Sequence, residues 1–292
     1  MSNHANPARA TLLLGAVLAA LSGPALATHS WGGYHWAFTS TPFTLQVVDN
    51  MSPAWSAYLL STIGSWNSTV GGYPLRISPV KVSGSPGKRT CSMVAGTTQV
   101  CNAKYGYNGW LGLASINIKG LHITQGSAKM NDSYFNLASY NYPSERLHVV
   151  CQEVAHTFGL GHQSETGQSL NTCMDYFSNT GSVYGNSAIS TTPNAHDFEQ
   201  LNIIYGTGHT TSDGYNSALQ SGAPALASAG VDISDDPRSW GTLIHQSANG
   251  RSSIYERRNS NGSKTLTHVY WAEETAAGCR GCDHRFETHQ QH

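Results

Sequence analysis

The segment Gln152-Glu153-Val154-Ala155-His156-Thr157-Phe158-Gly159-Leu160-Gly161-His162 decides how the chain is read. Pro143 and Ser144 open a helix that runs into it, proline being tolerated where the first backbone N–H has no helical acceptor. At 3.6 residues per turn, Leu147, Val150, Cys151, Val154 and Phe158 form one apolar stripe for burial against a sheet. Gln152 and His156 point the other way, four residues apart and one above the other on an open face, with Glu153 beside them. Gly159 can adopt the left-handed conformation that ends a helix, which turns the chain so that His162 comes back toward the same point. Gln152, His156 and His162 can then converge on one metal ion. Zinc held by three protein groups keeps a position for water and lowers the pKa of that water to roughly 7. Glu153 is the carboxylate placed to take the proton, as general base and not as a principal ligand.

Outward from this segment the pattern is strands first, helices later. Ser52-Pro53 starts a helix in which Trp55, Leu59, Ile63 and Trp66 recur at helical spacing. Residues 73–101 read as short strands and turns, and 110–118 and 122–130 as two strands around Lys119-Gly120. Asn194 caps a third helix in which Phe198, Leu201 and Tyr205 share a face before Gly206. The fold class expected is α+β, with a twisted mixed sheet. Three further short strands, 240–244, 253–257 and 265–271, follow a Gly/Ser/Ala/Thr-rich stretch and read as a small β unit that must pack on something to be stable.

Composition narrows the partners. Of 292 residues only 11% are charged and the formal net charge is -1, so no basic field exists to attract nucleic acid or an anionic membrane. Residues 1–27 have the layout of a secretory signal peptide: Arg9, an apolar run, and small residues at Ala25-Leu26-Ala27. No later stretch approaches the ~20 apolar residues of a membrane span. Six cysteines in an exported chain favour disulfides, with local pairs Cys91–Cys101 and Cys151–Cys173, while Cys279 and Cys282 lie in a polar tail with His284, His289 and His292. The organisation expected is a signal peptide (1–27), a catalytic domain (28–206), a linker (207–236), a β-rich unit (237–273) and a tail (274–292).

The central segment resembles the H-E-x-x-H-x-x-G-x-x-H signature of metzincin metallopeptidases at every fixed position except the first, where Gln152 stands. Cys173-Met174-Asp175-Tyr176 is similar to the Met-turn of that group. The resemblance implies a C-terminal subdomain carrying that turn, with Met174 beneath the metal and Tyr176 stabilising the oxyanion. It also extends, over residues 30–205, to a secreted matrixin-like group with the same Gln-Glu variant. There the Cys151 and Cys173 positions occur together, which implies a disulfide from the active-site helix to the Met-turn. Residues 111–118, followed by 122–132, resemble the edge-strand region that takes an extended peptide as an added strand, so Gly112, Leu113 and Ala114 become candidate substrate contacts.

The function expected is therefore a secreted, monomeric zinc endopeptidase with one catalytic Zn2+, Gln152, His156 and His162 as ligands and no indicated calcium. A glutamine oxygen is a poorer zinc donor than imidazole, so affinity should fall relative to three histidines. Two other classes stay open. In one, Gln152 fails to ligate and the chain is an inactive peptide-binding module; in the other, the β-rich unit carries an adhesion or carbohydrate-binding function. His148, a turn before Gln152, reads as a partly exposed histidine that cannot share an ion with His156 on a straight helix.

Overall fold

A computed structural model of the chain describes residues 1, 29–38, 40–164, 169–175, 189–206, 234–247 and 250–272. The signal-peptide stretch after Met1, most of the linker, the tail with Cys279 and Cys282, and Tyr176 lie outside the described residues. The chain runs β1 (His35–Trp36), β2 (Phe43–Asn50), α1 (Pro53–Asn67), β3 (Ile77–Ser83), β4 (Thr97–Ala103), β5 (Trp110–Lys119) and β6 (His122–Asn131). It continues through α2 (Asp132–Phe135), α3 (Pro143–His156), α4 (Ala195–Ile204), β7 (Thr242–Gln246), β8 (Ser252–Arg258) and β9 (Lys264–Trp271). The architecture is α+β: one large twisted mixed sheet with few helices. No helix among the described residues is long and apolar enough to cross a membrane.

The strands lie in the order β3-β2-β4-β6-β5-β9-β8-β7, with β1 pairing separately on the start of β6. β3, β2, β4 and β6 run parallel to one another, and the pairings β6–β5, β5–β9, β9–β8 and β8–β7 are antiparallel. The last three strands, expected as a separate appendage, continue this sheet. β9 runs antiparallel along β5 from Trp110↔Trp271 to Ile118↔Lys264. β5 is buried at nine of its ten positions, and so apolar a strand left unpaired would be a template for association with other chains. β9 removes that edge.

Side-chain alternation sorts the two faces of the sheet. On one, Trp55, Leu59, Ile63 and Trp66 of α1 and Val150, Val154 and Phe158 of the α3 region join Leu45, Val47, Leu266 and Tyr270 in the main core. Leu113 and Val269 face the other way and pack with Met93, Tyr105, Trp110, Trp240 and Trp271 in a second core. α1 begins at Pro53, and α4 carries a full capping box in which the Asn194 side chain accepts from Asp197 N–H while the Asp197 carboxylate accepts from Asn194 N–H. The disulfides Cys91–Cys101 and Cys151–Cys173 are both present.

α3 departs from the amphipathic expectation. Glu145 and every residue from His148 to His156 are buried, so the face expected to be open is covered. β9, the 172–175 turn and the segment around Ser190 cover it. His148 is accordingly not partly exposed: its side chain is fully buried and its Nδ1 meets the Ser190 carbonyl at 2.6 Å.

Candidate metal centre

α3 ends at His156, and the next three N–H groups, those of Thr157, Phe158 and Gly159, donate to Val154, Ala155 and His156 carbonyls in a tightened last turn. Gly159 then takes φ +92°, and a Cβ there would stand 2.1 Å from the Tyr34 carbonyl oxygen. Glycine is required on both counts. The reversal puts the His162 ring centroid 4.9 Å from that of His156. A strap from the start of the described chain holds the loop: Trp31 N–H donates to Gly159 O at 2.7 Å, Gly161 N–H donates to His29 O, and the Trp31 ring lies 5.4 Å from His156.

A third imidazole joins these two. His268 of β9 pairs across from Ala114 and, by alternation with Leu266 and Tyr270, points at α3. Its ring centroid is 3.8 Å from that of His156 and 4.8 Å from that of His162. One ligand nitrogen from each of His156, His162 and His268 lies within 4.8 Å of the others. His268 was absent from the sequence expectations. The available signal was its register, since a histidine between Leu266 and Tyr270 on the apolar face of a strand must be buried and must find partners.

His156 Nδ1 meets the Leu160 carbonyl at 2.8 Å; a carbonyl only accepts, so Nδ1 carries the proton and Nε2 holds the free lone pair. That Nε2 is buried with no hydrogen-bond partner. Glu153 is fully buried; its Oε2 meets His268 Nδ1 at 3.1 Å and its Oε1 has no hydrogen-bond partner. Burial pushes the Glu153 carboxyl well above its usual pKa. It pushes His156 and His268 well below theirs, and the neighbouring imidazoles add to the effect.

Gln152 is placed differently from a simple ligand on an open face. Its amide nitrogen donates to the Cys173 carbonyl at 3.0 Å and to the Asp175 carbonyl at 2.6 Å. Two carbonyl acceptors fix which end of the amide is which, leaving Oε1 buried with no hydrogen-bond partner. With the Cys151–Cys173 disulfide and the Gln163 N–H to Met174 O bond, these contacts tie residues 172–175 to α3 and to the loop after it. Met174 is fully buried in the main core.

The candidate substrate contacts on β5 are not available to a peptide. Gly112 pairs with Met130 and Tyr270, Leu113 with Lys129 and Val269, and Ala114 with Ala128 and His268. Both sides of β5 are therefore occupied, and the edge-strand expectation fails because β9 fills that edge. Gly112 serves packing: a Cβ there would come within 2.5 Å of Val149 Cγ2 and 2.7 Å of Glu153 Oε1. Access to the three imidazoles comes instead through a cavity of about 350 Å3 lined also by His29, Ser30, Trp31, Gly32, Gly161, His245 and Ile254. It reaches the surface at the exposed Gly32 and His245.

A scan of protein-family models finds no match to the chain, and a search of curated proteins finds none either.

Proposed function

We propose that the chain is a secreted, monomeric zinc-dependent endopeptidase of the metzincin type, working on peptides at the His156–His162 site with Glu153 as general base. The observation that carries this reading is the reversal at Gly159, which brings two imidazoles of one short segment together, edge to face, beside a buried carboxylate. The residues fit a dication. A buried Nε2 on His156 and a buried Oε1 on Gln152 without hydrogen-bond partners are costly unless something accepts their lone pairs, and clustered imidazoles suit zinc.

His156 and His162 would hold the ion with one further donor, for which Gln152 Oε1 and His268 are the candidates. Bound there, zinc would supply Lewis acidity and lower the pKa of a water to roughly 7. The chain does the rest. The Leu160 carbonyl fixes the His156 tautomer and ring orientation. Glu153 takes a proton from the attacking water and returns it to the leaving amine. Met174 beneath the site and Tyr176 as oxyanion donor are roles carried over from the resemblance. The peptide enters through the cavity of about 350 Å3. Two disulfides are in keeping with an oxidising compartment outside the cell.

Two observations favour a second reading, an inactive metal-binding module: both edges of β5 are paired, and the base already has a partner in His268. Glu153→Ala separates the two. The peptidase reading predicts cleavage of a casein-type substrate by the wild type and its loss by about 10²-fold or more in the variant, with zinc content and thermal unfolding retained. A variant cleaving at the wild-type rate would refute the mechanism.

A further inference from the structure

We infer that His268, on β9, supplies the third imidazole of the metal site, in place of the histidine that the motif lacks at position 152. The inference rests on a metal being bound at the proposed site, and it assigns the remaining ligand to a strand more than a hundred residues from the motif.

Three observations lead to it. The ligand atoms of His156, His162 and His268 lie within 4.8 Å of one another, a spread that one ion can bridge after small side-chain adjustments. The same cavity is lined by all three imidazoles, and Gln152 is not among its lining residues. The His268 ring is held at both ends, by Ser252 Oγ 3.0 Å from Nε2 and by Glu153 Oε2 3.1 Å from Nδ1. Taking an ion exchanges one of these hydrogen bonds and leaves the other to orient the ring, which is how protein imidazoles are commonly supported as ligands.

Donor chemistry and packing favour His268 over the alternatives. An imidazole nitrogen is a better zinc donor than an amide oxygen. The Gln152 amide is already committed through its nitrogen to the Cys173 and Asp175 carbonyls, so it fastens the 172–175 turn to α3 whether or not its oxygen reaches the ion. Nor is β9 a removable plug over the site. Leu266 and Tyr270 belong to the main core and Val269 and Trp271 to the second, so lifting His268 away would open both.

The test is X-ray absorption at the zinc edge of the wild-type protein, together with zinc titration against a chromophoric chelator for the wild type, His268→Ala and Gln152→Ala. The expected result is three imidazoles in the absorption spectrum. His268→Ala should lose more than about 100-fold in zinc affinity, beyond the 10–100-fold cost of losing an outer-shell partner, and Gln152→Ala should lose less than that. Two imidazoles in the wild-type spectrum would overturn the assignment, and so would a His268→Ala affinity equal to that of the wild type. The spectrum needs no variant, so the test stands even if His268→Ala fails to fold. A wild type that takes up no zinc would instead overturn the proposed function, and the two failures are distinguishable.

Discussion

Asp175 shows how local burial at the site becomes a measurable pH dependence. Its side chain is fully buried; Oδ2 accepts from Leu170 N–H at 2.7 Å, whereas Oδ1 has no hydrogen-bond partner. Burial raises its pKa from 3.8 to about 7, against the lowering effect of the backbone hydrogen bonds. A raised folded-state pKa means that the folded state holds its proton more tightly than the unfolded chain. The group's favourable contribution is therefore fully present below pH 3.8 and is lost as the pH rises through about 7. Asp175→Asn, which cannot ionise, should raise the unfolding midpoint of the metal-free protein at pH 8 more than at pH 5. Thermal melts at the two pH values check this, and an equal shift at both would contradict it.

At the scale of elements, α3 and the reversal after it were legible in the sequence, because proline at the start and a spaced set of apolar residues depend only on local geometry. So were the helix starts at Pro53 and Ala195 and the strands β5, β6, β8 and β9 to within a few residues. β2 was not among the expectations, although it lies between β3 and β4 at the heart of the parallel part of the sheet. The burial of every α3 residue from His148 to His156 was missed for a non-local reason: helical periodicity carries no information about β9 and the 172–175 turn, which pack against Glu153, His156 and Gln152. His268 was missed for the same reason, since only the β5–β9 register brings it to His156. Gly159 is where the local and non-local demands meet. Gly159→Ala should destabilise the protein by about 3 kcal/mol, from left-handed backbone strain and the clash with Tyr34 O. Urea unfolding measures it, and a loss under about 1 kcal/mol would mean that the loop relaxes freely, since glycine-to-alanine exchange stabilises by about 0.4–1 kcal/mol where backbone and space allow it.

For the whole molecule, the C-terminal strands change the plan of the protein. The sequence suggested a catalytic domain with an appendage; pairing of β9 with β5 makes β7, β8 and β9 part of the sheet, with Trp240, Val269 and Trp271 in a core shared with Trp110 and Leu113. A site formed this way needs both ends of the chain: His29 and Trp31 strap the motif loop from one side, and His268 closes on it from the other. It also leaves no free edge on β5, so under the proposed function peptide selectivity would be set by the walls of the cavity, Ser30 and Ile254 among them, and not by strand addition. Everything proposed for this centre depends on a bound ion. The most direct measurement is the metal content of the protein purified without chelators and dialysed against metal-free buffer. The account predicts about one zinc per chain, removable by chelation and restored by added zinc; protein with no stoichiometric metal that also takes up none on titration would contradict it.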